Sequence, residues 1–307
     1  MITYYFRTLK DDVLKEIPEG RRGVWVHVES PTSEEVTELI ERFKLNEAIL
    51  EDAQDFFEVP RVEKEDGITY FFTRYPYDEP SEDTESAPLM IVVGETFLMT
   101  FVLRPVPQFS KFFDGTIEIH TTQKAKLFIQ IMNLVTISYE KELVRLRRVV
   151  HKDRAKIRRL GNAEIVRFVN YEHKLNDMIS SVMPTNNWIQ LVTKGNYIQL
   201  YEQDVEFMED LMIDNNQLVD SARSVLKTIQ NVRTATEAIM TNNLNSTIRT
   251  LTVLTIILTV PTIIASLYGM NVTLPFGNHP WGFWIVLTFI FSVISFVTWA
   301  FKKNKWL

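Results

Sequence analysis

Tyr268-Gly269-Met270-Asn271 decides how this chain is read, because of what flanks it. An apolar stretch, about 250–268, runs into it, and a second follows over about 281–301. Each is long enough to cross a bilayer as a helix. Between Arg249 and Lys302 there is no Lys, Arg, Asp or Glu, and the only titratable side chains are Tyr268 and His279. Such a run is costly in water and favourable in lipid. The competing reading is a pair of buried core helices, but these seldom run past about 14 uninterrupted apolar residues.

Charge sets the orientation. Arg233 and Arg249 precede the first span, Lys302, Lys303 and Lys305 follow the second, and the loop 269–280 has no Lys or Arg. The positive-inside rule then predicts a multi-pass protein of the cell (inner or plasma) membrane with both termini cytoplasmic. Trp281, Trp284, Trp299 and Trp306 fall near the expected interfaces, where amphipathic rings prefer to sit.

The first span carries polar residues at Thr252, Thr255, Thr259, Thr262 and Ser266, with Asn245 one heptad earlier. Steps of three, four and seven place them on one helical face. One reading is helix packing, where small hydroxyl residues let backbones approach. The other is a water-filled path lined by hydroxyls. Two spans cannot enclose a pore, so the second reading requires an oligomer.

The motif at the outer end of the penultimate span resembles the signature of the CorA family of magnesium transporters. The basic, Trp-containing end Lys302-Lys303-Asn304-Lys305-Trp306-Leu307 is also similar to that family's. So is the order of parts. The likeness spans the whole chain in architecture and is sequence-specific mainly from about Asn242 onward. It implies an α+β membrane protein: a cytoplasmic α/β domain, a very long stalk and pore helix, and two C-terminal transmembrane helices, assembled as a homopentamer. It implies pore positions at Asn245, Ile248, Leu251, Thr252, Thr255, Thr259, Thr262 and Ser266, with Ile248 and Leu251 as an apolar constriction. Gly269, Met270 and Asn271 become the selectivity filter. Ser266 departs from the family, which often has Gly there, and the loop 272–280 lacks the acidic segment that relatives carry.

The chemistry of the filter follows from the ion. Mg2+ holds its waters tightly and surrenders them reluctantly. Stripping them would take carboxylates, and this loop has none. Amide oxygens of Asn271 can instead accept hydrogen bonds from the ion's waters. Gly269 is expected to let the backbone turn out of the helix. Met270 is expected to pack and hold that turn, since its sulfur is too soft to ligate Mg2+.

The rest of the chain is read around this membrane part. The length of 307 residues leaves room for a cytoplasmic domain with its own core. Residues 1–10 lack a signal-peptide layout. There is no Cys, so no disulfides or thiolate metal sites are expected. The net charge of −6 argues against nucleic acid and suits cations. The expected divisions are an α/β domain over 1–120, a helical hairpin over 121–194 and a stalk over 195–268. The stalk continues into the first span at about 245–268. An outer loop (269–280), a second span (281–301) and a basic tail (302–307) complete the chain.

Strands are expected at 2–6, 24–28, 61–65, 68–75, 88–93 and 96–103, with Asp66-Gly67 and Gly94-Glu95 as hairpin turns. A helix is expected to open with Ser30 as N-cap and Pro31 at its first position, and another to span 45–55. Leu127, Ile131, Leu134 and Ile137 recur at helical spacing ahead of the basic run 145–159, which reads as a solvated helix face or a contact with acidic helices or lipid headgroups. Pro184 is expected to interrupt the next helix. After Gly195 no Pro or Gly occurs until Pro261, which predicts one long helix. Its Met208, Leu218, Val225, Ile229 and Val232 are expected to pack against copies of itself. The resemblance implies a regulatory Mg2+ site at Asp210, with Asp78 as its partner. Bound metal would bridge carboxylates of neighbouring subunits and keep the pore closed.

The reading is passive, potential-driven uptake of hydrated Mg2+, with Co2+ and Ni2+, gated by cytoplasmic Mg2+. Mg2+ is thus both cargo and regulator. The partners are other copies of the chain, the lipid bilayer and divalent cations, with no nucleic acid. The alternative within the superfamily is a Zn2+ or other transition-metal transporter, possibly proton-coupled. A membrane-anchored enzyme is disfavoured, because His27, His120, His151, His173 and His279 are scattered with no zinc-protease spacing, phosphate loop or Ser elbow.

Overall fold

A computed structural model describes residues 1–77, 86–154, 162–195, 197–272, 275 and 280–303. Two compact units divide the chain, Met1–Val232 and Arg233–Leu307. The first is built on strands β1 (Ile2–Phe6), β2 (Lys15–Ile17), β3 (Val24–Glu29), β4 (Arg61–Glu65), β5 (Ile68–Pro76), β6 (Ser86–Val93) and β7 (Phe97–Val102). They form one sheet in the order β2-β1-β3-β7-β6-β5-β4. Among the described residues only β3 and β7 pair in parallel, with His27 opposite Thr100. The Asp66-Gly67 hairpin is as expected: both residues have positive φ, 48° and 80°, as a two-residue type I′ turn requires.

Both faces of the sheet are covered, so the central strands read as nearly continuous apolar runs. Val24, Val26, Val28, Tyr70 and Phe72 pack under α1 (Ser33–Phe43) and α2 (Glu47–Asp52). Trp25, Phe71, Leu89 and Ile91 face the other way. There they meet α3 (Ser110–Phe113), α4 (Lys124–Arg154) and α5 (Asn162–Thr193), through Phe112, Phe128, Ile131 and Ile189. The N-cap of α1 is Thr32, not Ser30. Its hydroxyl accepts from the Glu35 amide while the Glu35 carboxylate accepts from the Thr32 amide. That reciprocal box satisfies two orphan amides, which Ser30, at φ 44°, is not placed to do.

Pro184 lies inside α5 and does not end it. The helix is anchored to the sheet on the C-terminal side of the proline. The Trp188 indole donates to the Phe72 carbonyl at 3.2 Å, and the Thr185 and Thr73 hydroxyls meet at 3.0 Å. Packing of Val182, Trp188 and Ile189 outweighs the one backbone bond that proline removes.

The long helix is α6 (Glu202–Tyr268), and α7 (Gly282–Lys303) follows. The amide of Tyr201 donates to the buried Asp204 carboxylate at 3.1 Å, closing the first turn of α6. Met208, Leu218, Val225, Ile229 and Val232 are buried in the first unit's own core. They are therefore not free to pack against copies, as their spacing had led us to expect. The layer of α4 and α5 needs an apolar cover, and this part of α6 supplies it.

Candidate functional site

The second unit holds the end of α6 and all of α7, and both helices are long and apolar enough to span a membrane. Their apolar windows are almost wholly uncovered by the chain itself. One face of α6 is the exception: Val253 is 1% exposed, and Ile256, Ile257, Val260 and Ile264 are half-buried. At about 100° per residue, that face lies on the opposite side of α6 from Thr252, Thr255, Thr259, Thr262 and Ser266, all of which are exposed. Asn245, Ile248 and Leu251 are exposed too. The hydroxyl stripe is thus not spent on packing within the chain. The step of four, three and four from Val253 through Ile257 and Val260 to Ile264 was the sequence signal for this second face.

The hydroxyls have a defined polarity. Those of Thr252, Thr255, Thr259 and Thr262 donate to the carbonyls of Ile248, Leu251, Thr255 and Leu258 at 2.7–2.9 Å. A hydroxyl has one proton and two acceptor lone pairs. With each proton held by the helix, the stripe presents oxygens as acceptors. An acceptor-only stripe suits the outward-pointing hydrogens of a cation's hydration shell.

α6 ends at the motif. The Gly269 amide donates to the Ala265 and Ser266 carbonyls at 2.9 and 3.2 Å, and the Tyr268 hydroxyl donates to the Pro275 carbonyl at 3.3 Å. Gly269 does not have the left-handed backbone that would demand glycine, and a Cβ there would meet only backbone oxygens at 3.5 Å. The turn thus does not explain this glycine. Met270 is 53% exposed, so it does not hold the turn by burial within the chain. Asn271 is exposed. Among the described residues no cluster of three or more His, Asp or Glu could hold a metal ion. Asp210 is exposed on α6, and Asp78 lies outside the described residues.

α7 exposes Trp284, Phe289, Phe296 and Trp299, and Trp281 just before it is exposed too. Lys303 lies over the Trp299 ring, 5.1 Å from its centroid, a pairing suited to a membrane interface.

The family model described as "CorA-like Mg2+ transporter protein" matches residues 21–303. The chain belongs to the CorA family. As a CorA-family chain with two such C-terminal helices, it is a membrane protein. It is 23% identical over 300 residues to the cobalt/magnesium transport protein CorA of Methanocaldococcus jannaschii, covering 94% of this chain and 93% of that protein. The complete structure of the CorA magnesium transporter from the same organism superposes with a TM-score of 0.88 at 21% identity, covering 100% and 99% of the two chains. Full-length CmaX gives 0.76 at 15% identity, covering 100% and 98%. These solved CorA-like folds share the α/β region, the very long helix and the two apolar C-terminal helices.

Proposed function

We propose that this CorA-family chain conducts hydrated Mg2+, and with it Co2+ and Ni2+, passively through a homopentamer. The α6 helices converge on an axis and α7 helices face lipid. The supporting observation is the acceptor-only Thr stripe on the uncovered face of α6, leading to Gly269-Met270-Asn271. A ring of Asn271 amides recognises the aquo-ion, Thr and Ser oxygens carry it, and Ile248 and Leu251 form the apolar gate. No catalytic step is involved. An inside-negative potential supplies about 4.6 kcal/mol per 100 mV for a doubly charged ion.

Residues 1–120 and 121–194 with the lower stalk lie in the cytoplasm, as do both termini, and the 269–280 loop lies outside. Cytoplasmic Mg2+ holds the pore closed by bridging Asp210 of one copy to an acid of its neighbour, with Asp78 as the partner. Purified full-length protein in liposomes, with a Mg2+ dye inside and a potassium-set potential, tests the reading. Asn271→Ala is expected to abolish flux while leaving the protein folded. Absence of Mg2+ flux by the parent protein sinks the proposal, and flux of Zn2+ alone would favour a transition-metal transporter.

A further inference from the structure

Two exposed apolar pairs stand on the first unit. One is Phe57 with Val59, in the loop between α2 and β4, 69% and 62% exposed. The other is Phe207 with Ile213 on α6, 52% and 48% exposed.

The loop that carries Phe57 is tied down. The buried Arg74 donates through Nη1 to the Phe56 carbonyl at 3.0 Å and to the Glu58 carbonyl at 2.9 Å, so the backbone is held on both sides of Phe57. The Phe57 amide donates to the Asp55 carboxylate at 2.9 Å, and Arg61 pairs with Asp52 and Glu58. Phe56 packs on the core below, and Phe57 is left in the open. An apolar side chain on a fixed backbone loses little freedom when something docks on it, which favours it as a contact.

Both pairs lie beside the ends of the proposed carboxylate bridge. On α6, at about 100° per residue, Phe207 and Ile213 fall about 60° to either side of Asp210. On the sheet, Arg74 belongs to β5, whose end at Pro76 leads into Asp78, and it is Arg74 that holds the Phe57 loop. A ring of copies joins two different patches of the same chain, and these are two such patches. Acids stand around both, Asp55 on the loop and Glu206, Glu209 and Asp210 on the helix, all exposed, so the contact is expected to need a divalent cation.

We infer that Phe57 and Val59 of one copy dock against Phe207 and Ile213 of the next copy. The inference rests on the pentamer reading and adds to it the apolar contact that accompanies the carboxylate bridge.

The chain has no Cys, so introduced thiols are the only ones present. Phe57→Cys and Ile213→Cys are placed in separate full-length chains, co-expressed, purified in detergent with Mg2+ and treated with a short bis-maleimide. A crosslinked dimer is expected from the mixture and none from either variant alone. Light scattering on the same samples counts the copies independently. A pentamer that yields no crosslinked dimer would overturn the inference and leave the pentamer standing, and Phe57 then faces lipid or another protein. Crosslinking of Phe57→Cys to itself would overturn it too, because the pair would then meet its own like. A monomer by light scattering would remove the pentamer reading, and the inference with it. Phe57 is outside the core, so Phe57→Asp should fold, and its assembly should dissociate at a protein concentration at least about tenfold higher than the parent's. Phe57→Leu should assemble as the parent does. Parental assembly of Phe57→Asp would overturn the inference.

Discussion

Thr136 of α4 and Asn215 of α6 meet at 2.9 Å, Oγ1 to Oδ1, with both side chains almost fully buried. It is a polar bond inside the apolar layer where α6 covers the first unit. The Asn215 amide nitrogen has no partner of its own. Thr136→Val should therefore lower the stability of the first unit by about 1–3 kcal/mol, because it leaves the other end of the amide unpaired as well. Asn215→Leu removes both amide groups and should cost less. Thermal unfolding of the two variants side by side decides it, and a Thr136→Val midpoint equal to the parent's would show the bond contributes nothing.

His27 makes the first unit sensitive to acid. Its ring lies behind β3, with Nδ1 2.9 Å from the Thr100 hydroxyl, and Thr100 also accepts from the Trp25 indole at 3.0 Å. Burial, with a smaller contribution from the Met1 ammonium, pushes its pKa down to about 4 from 6.5. The folded value is the lower one, so between 6.5 and about 4 the unfolded chain binds the extra proton. Stability is fully present above 6.5 and falls with pH through that window, by about 3 kcal/mol in all. Denaturant midpoints at pH 7.5 and 4.5 should converge in His27→Gln relative to the parent. An unchanged difference would assign the acid sensitivity to other groups.

The strands were legible because apolar and β-branched runs at Val24, Phe71 and Ile91 are buried on both faces, a demand written directly into composition. β2 was not, since Lys15 and Glu16 are exposed on a three-residue edge strand held only by pairing with β1. Pro184 misled because a local rule was overruled by contacts of Trp188 and Thr185 with a strand more than 100 residues earlier in the chain. The candidate pore face was readable, since helical spacing alone groups Thr252, Thr255, Thr259 and Thr262. The direction of their hydroxyl protons was not, because it depends on backbone carbonyls one turn back. Nor does spacing distinguish a face that packs on copies from one that packs on its own chain, which is where Met208 and Val225 were misjudged.

Asp210 offers a direct test of gating. Its carboxylate is exposed and is free of the capping duty that Asp204 performs, so Asp210→Ala should leave folding intact. If Mg2+ bridges this carboxylate as proposed, its removal should shift the cytoplasmic Mg2+ needed for closure upward by about tenfold, the effect of losing one charge-assisted contact of about 1.4 kcal/mol. Patch currents across an internal Mg2+ series read this. A curve that superimposes on the parent's would remove Asp210 from the regulatory site.

Gly269 separates the needs of one chain from those of an assembly. Its backbone is not left-handed, and a methyl group would make ordinary contacts with the Ala265 and Ser266 oxygens at 3.5 Å. Gly269→Ala should therefore leave thermal stability within about 0.5 kcal/mol of the parent's. On the proposed pentamer Mg2+ flux is nevertheless expected to be lost, because neighbouring copies around the axis would crowd this position. Parental flux in a well-folded Gly269→Ala protein would mean that nothing approaches this position.

Thr259 tests the acceptor stripe most sharply, because valine has nearly the same shape and lacks the oxygen. In the parent the hydroxyl proton goes to the Thr255 carbonyl at 2.7 Å, and that carbonyl already serves the helix, so its loss should leave α6 intact. What disappears is an outward-facing oxygen, once in every copy of the proposed pentamer. If the stripe carries a hydrated cation, Thr259→Val should reduce Mg2+ flux at least about tenfold, equivalent to about 1.4 kcal/mol at one ring. Thr259→Ser, which restores the oxygen, should recover most of it. Should valine conduct as well as serine, the hydroxyls serve helix packing instead, and the other reading of the stripe is correct.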